Sequence, residues 1–434
     1  MLDDVKKKIE KLEDENLKLL KAIEELSILN EISTAISSTL SMNKIMDLIV
    51  NKCIKHLDVE QCALILFDKS KEDPYTTLIR RGEPSSEKDF NYYLTSELIS
   101  RMLKNRKSLR INNLEKDKSF APFRRESFGL KNLLSVPLTS HGEMIGIIYV
   151  LNKKLGLIFS EGDERLLSII AGQSAQAIEN SRLLEEEQSY ICIQEEIRMA
   201  QEIQLNLLPK QIPEIPGYDI AAINIPESEV GGDYYDFINL SENRIAFCLG
   251  DVSGKGLPAA LLMANLQATL RGQSFIQKSP KDIIKMSNLL LYNSTDIRKF
   301  ATLFYGILDI KTNEIIFCNA GHENPLHFKK EKYFGELITG GTVLGFLVDL
   351  KFYEETIEVQ QGEVLVLYSD GITEAMNSEA EQFGADRIRE LVRENHNKSS
   401  KEIIDNIISS VEIHAGENSQ FDDITLLVIK RNIK

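Results

Sequence analysis

Positive charge is in deficit in this 434-residue chain, where 51 Lys and Arg stand against 66 Asp and Glu for a net charge of −15. Nonspecific nucleic-acid binding requires a basic face, and a polybasic membrane anchor requires a basic cluster, so the balance argues against both partners. Cysteine is scarce too. The five are odd in number and include no Cys-x-x-Cys pair, which fits reduced thiols in a cytoplasmic protein rather than a disulfide framework. Long apolar runs are missing: the longest, Met144 to Leu151 with Gly146 inside it, is far too short to span a bilayer. The first residues are acidic and basic, without the apolar stretch of a signal peptide. Internal repeats and low-complexity tracts are absent as well. What is present is ordinary globular composition, 43% hydrophobic and 27% charged, over a length that predicts two or three domains with cores of their own.

The first thirty residues follow a heptad, with Leu2, Ile9, Asn16, Ile23 and Asn30 at position a and Val5, Leu12, Leu19 and Leu26 at position d. This pattern favours a parallel two-stranded coiled coil, with Asn at a setting the register. A single amphipathic helix lying on the next domain is the alternative. Helical spacing continues through Ile32, Ile36, Ile45, Leu48 and Ile49. Apolar strands are expected at Cys62 to Phe67, Leu133 to Leu138 and Ile145 to Leu151, the last two joined at a His141-Gly142-Glu143 turn. Ser160 with Asp163 reads as a helix start. Only Gly172 interrupts the stretch from Asp163 to Gln201, so the helix is expected to reach Leu208, where Pro209, Pro213 and Pro216 end it. Beyond Gly217 come apolar strands, Gly-rich turns and two long helical segments, about Leu257 to Ile276 and Pro280 to Ile297.

Four aspartates in this last region sit at strand ends. Arg244 to Leu249 leads into Gly250-Asp251, and Val364 to Tyr368 into Ser369-Asp370-Gly371. Asp422-Asp423 precedes Ile424 to Ile429, and Gly231-Gly232-Asp233 precedes Tyr234 to Ile238. In antiparallel sheets the end of one strand lies beside the start of its neighbour, so all four carboxylates can meet at one edge. Such clustering costs stability unless cations neutralise it. Oxygen ligands without a His or Cys pattern favour magnesium or manganese over zinc. Two such ions can activate a water and hold a phosphoryl oxygen. Taken singly, each Asp also reads as a turn or cap residue. Two look-alikes fail on spacing. Gly250 to Gly256 has three residues between its glycines where a phosphate loop has four, and the Gly231 to Tyr235 run has Tyr-Tyr where a GGDEF motif has Glu-Phe.

The run Ala200-Gln201-Glu202-Ile203-Gln204, Leu207-Leu208-Pro209, Pro216-Gly217-Tyr218, Val230 to Asp236 and Gly250 to Gly256 closely resembles SpoIIE/RsbU-type serine phosphatases, a bacterial branch of the metal-dependent PPM (protein phosphatase 2C) family. Asn319-Ala320-Gly321-His322, Tyr368 to Glu374 and Asp422 to Leu426 extend the match, in the family's order, over about residues 195 to 432. The resemblance implies an α-β-β-α sandwich with two Mn2+ or Mg2+ ions at one edge. Asp251 would bridge both ions, with the Val252 carbonyl facing one of them. Asp370 and Asp422 would complete the first ion's ligands, and Asp233 would serve the second. Asp236 and Asp423 are weaker candidates. Activated water would attack phosphoserine or phosphothreonine directly, without a phosphoenzyme. The Arg that holds phosphate in eukaryotic relatives has no clear counterpart here. Lys255 is either a helper or a solvated turn residue, and His322 reads as structural.

About residues 28 to 184 resemble a GAF domain, a small-molecule sensor, through the Asn132 to Leu151 hairpin and the following helix start. Asn152-Lys153, Phe159 and Asp163-Glu164 reproduce the spacing of the NKFDE motif of cyclic-nucleotide GAF domains, whose Lys and Asp brace the pocket from outside. The same residues also fit a core Phe, an N-cap and a structural ion pair. The expected fold class is therefore α+β multidomain: coiled coil 1–30, GAF domain 28–184, helical linker 185–209 and phosphatase domain 213–434. The resemblance implies a dimer through coiled coil and linker, and a small-molecule GAF ligand or a protein regulator. It implies as substrate a phosphorylated STAS-type anti-sigma factor antagonist. An inactive scaffold of the same fold, binding a phosphoprotein without turnover, is the competing reading; all four aspartates are present, where a dead relative is expected to have lost one.

Overall fold

The computed structural model describes residues 42–67, 75–81, 98–114, 116–117, 130–295, 299–329, 332–416, 418 and 420–433, with scattered positions between 6 and 27. Of the heptad, Leu2, Val5, Leu26 and Asn30 lie outside the described residues, as do Ile32 and Ile36. Ile9, Leu12, Leu19 and Ile23 are exposed. The chain divides into two compact units, Met1–Ile191 and Cys192–Lys434. All five cysteines are free, with Cys192 exposed and the rest buried. Among the described residues no helix is long and apolar enough to cross a membrane.

The amino-terminal unit is built from α1 (Met42–Leu57), β1 (Val59–Phe67), β2 (Tyr75–Arg81), β3 (Leu109–Ile111), β4 (Leu133–Ser140), β5 (Glu143–Lys153) and the start of α2 (Glu161–Leu207). The strands form one antiparallel sheet in the order β2-β1-β5-β4-β3. Because successive side chains leave a strand on opposite faces, β1 and β5 feed two cores. Cys62, Leu64, Ile148 and Val150 pack with α1 and with Leu167, Ile170 and Ile178 of α2. Ala63, Ile65, Ile147 and Tyr149 pack with Leu98, Ile99 and Met102. Leu48 is only half-buried, since the face of α1 that turns inward carries Ile45, Met46, Ile49, Val50 and Cys53. The turn between β4 and β5 has positive φ at His141 and Gly142, as a two-residue hairpin requires.

The expected long helix is one element. α2 begins after Ser160 and ends at Leu207, two residues before Pro209, so its residues fall in both units.

The carboxyl-terminal unit contains β6 (Tyr218–Ile225), β7 (Tyr234–Ser241), β8 (Arg244–Val252), α3 (Leu257–Ile276), α4 (Pro280–Ser294), β9 (Ala301–Asp309), β10 (Glu314–Ala320), β11 (Leu326–Lys329), β12 (Lys332–Glu336), β13 (Gly340–Gly341), β14 (Glu355–Glu358), β15 (Glu363–Tyr368), α5 (Asp370–Thr373), α6 (Gly384–Asn395), α7 (Ser400–Ala415) and β16 (Ile424–Arg431). α4 ends at Ser294, short of the expected Ile297, which lies outside the described residues. The sequence reading missed α6 and α7. One sheet runs β13-β10-β9-β8-β7 with β14 on β10, the other β12-β11-β15-β16-β6.

Period-two alternation again assigns side chains to layers. Tyr234, Ala246, Cys248 and Tyr305 pack with Leu266 and Met263 of α3 and Ile284 of α4. Their neighbours Tyr235, Phe247, Leu249 and Phe304 pack with Leu365, Leu367, Leu427 and Ile429 of the other sheet. Val364, Val366, Leu426 and Val428 pack with Ile388, Ile403 and Ile407 of α6 and α7. Each fully buried large apolar side chain contributes roughly 1.5–3 kcal/mol, so these three layers are what holds the sheet edges in place.

Candidate metal centre

Register brings the aspartates together. Tyr234 pairs with Gly250, so Asp233, just before β7, lies beside Asp251 near the end of β8. Tyr368 pairs with Leu426, so Asp370, just after β15, lies beside Asp422 and Asp423 just before β16. Asp251 is inside β8 rather than beyond it, because the strand continues to Val252.

The glycines of these motifs are empty for steric reasons. A Cβ on Gly231 would strike the Asp423 carboxylate. One on Gly232 would lie 3.0 Å from the Val252 carbonyl oxygen and 3.1 Å from Asp251 Oδ1, filling the space those two oxygens face. One on Gly371 would strike the Asp423 carbonyl.

The adjacent pair Asp422-Asp423 divides its labour. Asp423 is buried, and its carboxylate accepts hydrogen bonds from the backbone N–H of Glu227 at 2.7 Å, Gly232 at 2.5 Å and Asp233 at 3.2 Å. It pins the loop that carries Asp233. Asp422 faces the other way: Lys255 Nζ stands 3.5 Å from its Oδ2. Lys255 also donates to the Phe421 carbonyl and lies 4.5 Å above the Phe421 ring. Asp236 does not join the group. Its fully buried carboxylate is held by Arg271 of α3 at 2.7 and 3.1 Å and by the Tyr234 hydroxyl at 2.6 Å.

Electrostatics mark the remaining carboxylates. Burial, then the charges of Asp370, Asp422 and Asp423, push the Asp251 carboxyl up from an ordinary 3.8 to about 7. Burial and Asp251 push Asp233 well above the usual range, against the pull of the Thr425 and Ser369 hydroxyls. Burial, Asp422 and Glu374 raise Asp370. Burial and Asp370 raise Glu323. Like charges in a poorly solvated edge disfavour ionisation, and a divalent cation removes that penalty.

Among the described residues no three Asp, Glu, His or Cys side chains converge closely enough to cage an ion by themselves. The donors present, carboxylates crowded at one edge together with the Val252 carbonyl, fit an open site in which water supplies further ligands. Such a site suits Mg2+, which keeps several waters, and oxygen-ligated Mn2+.

Four supporting residues had no assigned role in the sequence reading. Thr425 donates its hydroxyl to Asp233 Oδ2. Ser369 Oγ donates to the Asp423 carbonyl at 3.0 Å and accepts from Thr425 N–H at 2.9 Å. Thr302 Oγ1 lies 3.3 Å from the Asp251 amide nitrogen. Gln204, near the end of α2, uses its amide to donate to the Gly231 carbonyl at 2.6 Å and to accept from the Gly231 N–H at 3.1 Å. Gln204 lies in the Ala200 to Gln204 run that carries the family resemblance, five residues before Pro209, but nothing in that spacing announces its contact with Gly231. His322 is buried and is held through its backbone by Asn319 at 2.9 and 3.1 Å.

In the amino-terminal unit the motif residues are fully engaged. Asn152, at positive φ, donates to Glu60 and accepts from the Lys131 N–H, each at 2.8 Å. Lys153 pairs with Asp163 and lies 6.0 Å from the ring centre of Phe159. Phe159 is core, its backbone clamped by Asn112 at 2.9 and 3.0 Å. Asp163 accepts from Ser160 N–H and Oγ at 2.8 Å. Glu164 takes a hydrogen bond from Ser108 and pairs with Arg110 at 3.2 Å. These contacts brace the loop between β5 and α2.

Known proteins share both halves. The family model described as Stage II sporulation protein E (SpoIIE) matches residues 241–432, and a GAF domain model matches residues 39–179. Phosphoserine phosphatase RsbU of Bacillus subtilis is 30% identical over 242 residues, which is 56% of this chain and 71% of RsbU. Protein IcfG of Synechocystis sp. is 30% identical over 264 residues, 55% of this chain; the match spans only 42% of IcfG. The solved SiaA-PP2C domain of Pseudomonas aeruginosa shares the fold at a TM-score of 0.51 and 19% identity, over 56% of this chain and 97% of that domain.

Proposed function

This chain belongs to the SpoIIE/RsbU family of protein phosphatases and carries an amino-terminal GAF domain, and from that premise we propose that it is a metal-dependent phosphoserine/phosphothreonine phosphatase under GAF control. Its substrate, on this reading, is the phosphoserine of a STAS-type anti-sigma factor antagonist in a partner-switching pathway. The observation that carries the catalytic part is the crowding of Asp233, Asp251, Asp370 and Asp422 at one edge, where burial and neighbouring carboxylates raise Asp251 to about 7. The layering of helices, sheet, sheet and helices supports the α-β-β-α sandwich.

Asp233, Asp251, Asp370, Asp422 and the Val252 carbonyl would hold two Mn2+ or Mg2+ ions. When bound, the ions supply Lewis acidity toward phosphoryl oxygens and lower the pKa of a coordinated water. The protein's own residues set the rest. Asp423 holds the loop of Gly232 and Asp233, and Gly232 leaves the approach to the Val252 carbonyl and Asp251 open. Asp251 must release its proton before it can take a cation, so occupancy competes with protons below about pH 7. Lys255 stands 3.5 Å from Asp422 and would supply positive charge to a phosphate bound there.

For regulation, α2 is the route we favour: it starts in the GAF domain's core and ends with Gln204 gripping Gly231, two residues before Asp233. A shift of that helix would move the loop and with it the site, the kind of two-state element that coupling requires. Dimerisation through the heptad and α2 belongs to the same proposal. The GAF ligand, a cyclic nucleotide or another small molecule, acts at the other end. Hydrolysis of p-nitrophenyl phosphate by the purified protein tests the catalytic part. Turnover is expected with Mn2+ and is abolished by chelator; no turnover with Mn2+ would favour the scaffold reading, and turnover that survives chelator would overturn the metal role.

A further inference from the structure

His322 has a ring placed between the two sheets' acidic strand ends, and neither the motif match nor the metal reading gives it a task. Its Nδ1 is 2.9 Å from Thr302 Oγ1. That hydroxyl in turn accepts from the Asp251 N–H at 3.3 Å and lies 3.4 Å from the Asp251 carbonyl oxygen. Nε2 is buried with no hydrogen-bond partner, and the Tyr368 backbone is near enough to the ring to favour a proton on it. Tyr368 is the last residue of β15, one step before Ser369-Asp370. The imidazole thus stands between β9, which pairs with the Asp251 end of β8, and the end of β15 that presents Asp370.

The two distances point to one tautomer. Thr302 has one hydroxyl hydrogen, and an acceptor at 2.9 Å takes it in preference to one at 3.4 Å. Nδ1 is then the acceptor, and the ring proton resides on Nε2. Burial holds the ring's pKa down at about 3, so the imidazole carries no charge into an edge already crowded with carboxylates and does not act as a general acid at neutral pH. Asn319 fixes the ring's origin by binding both backbone polar groups of His322. These are the marks of an orienting group.

We propose that His322 is a positioning residue, whose imidazole holds Thr302, and through it the Asp251 backbone, while filling the space beside the Tyr368 end of β15, and so sets the spacing of Asp251 and Asp370 across the two sheets. The proposal rests on the metal-phosphatase reading for its consequence: a fixed spacing between two carboxylates matters most when both must reach the same pair of ions.

The test compares Mn2+ affinity, measured by calorimetry on metal-free full-length protein, with p-nitrophenyl phosphate kinetics at several Mn2+ concentrations. His322→Ala and Thr302→Val should each weaken Mn2+ binding by about 10- to 100-fold. In both, kcat should climb back as Mn2+ is raised, with KM for the aryl phosphate unchanged. The double variant should be no worse than the weaker single one, since both break one chain of contacts. His322→Asn, which retains a polar atom near the Nδ1 position, should fall between the parent and His322→Ala. In the unaltered protein, 15N spectra at neutral pH should show a bare Nδ1 and a protonated Nε2. Folded His322→Ala and His322→Asn proteins with parental Mn2+ affinity would overturn the inference, as would a protonated Nδ1. If the parent itself neither binds Mn2+ nor turns over, the metal reading falls, whereas an active parent matched by its variants defeats the positioning role alone.

Discussion

Asp163 and Asp251 are the same residue type in two halves of one chain, and their surroundings treat them in opposite ways. Burial works against ionisation at both. At Asp163 it is outweighed by Lys153 and by the Ser160 N–H and hydroxyl, and the carboxyl settles below its ordinary range. At Asp251 three further carboxylates reinforce burial, and the carboxyl rises to about 7. A carboxylate whose lone pairs are all answered by its own protein is a brace. One whose protein supplies only more negative charge is waiting for a cation from outside.

The sharpest way to break this contrast is Asp251→Asn. Turnover with Mn2+ should fall by about 1,000-fold, yet the metal-free variant should melt higher than the parent at pH 8, because an uncompensated buried charge has been removed. A variant that keeps its activity, or that unfolds more readily, would remove Asp251 from the metal role.

The next effect is on pH dependence. A carboxyl raised in the folded state makes its favourable contribution at low pH and loses it as pH rises through the folded value. The metal-free protein should therefore lose stability between about pH 4 and pH 7, by roughly 5 °C in melting temperature, with Asp233 and Asp370 adding in the same direction. Mn2+ at pH 7.5 should restore the loss, and thermal melts with and without chelator check both statements. A flat metal-free profile would contradict the crowding of these carboxylates.

The smallest effect belongs to the brace. Asp163→Ala removes an ion pair and a helix cap together, and should cost the amino-terminal unit about 2 kcal/mol. The sign of its pH dependence is the reverse of Asp251. A lowered carboxyl stabilises above its unfolded value, and the gain is lost as pH falls through the folded one. The difference between parent and variant should thus shrink in acid. Denaturant melts at pH 7 and pH 3 decide it, and a constant difference would show that the ion pair contributes nothing.

Much of the fold was legible because its signals are local. The strand cores of β1, β4, β5, β8, β15 and β16, the His141-Gly142 turn, and both ends of α2 follow from apolar alternation, capping and proline. α6 and α7 were not read, although Ser399 and Glu402 form a capping box ahead of α7. The candidate site was legible as four aspartates at strand ends, but not as a division of labour. Nothing in the adjacency of Asp422 and Asp423 says which one faces outward; a one-residue step turns a side chain to the opposite face. Asp236, three residues from Asp233, is taken by Arg271 from a helix 35 positions away, and no local spacing announces that.

The amino-acid sequence alone determined which segments become strands and helices, and which of them end in a carboxylate, because those properties depend on neighbours a few residues apart. Tertiary structure alone decided which carboxylates are answered and which are left crowded. It brought Lys153 to Asp163, Arg271 to Asp236 and the Gly232 N–H to Asp423, and it left Asp251 among like charges. Burial and charge pairing are sums over everything within a few ångströms, and most of those neighbours are distant along the chain.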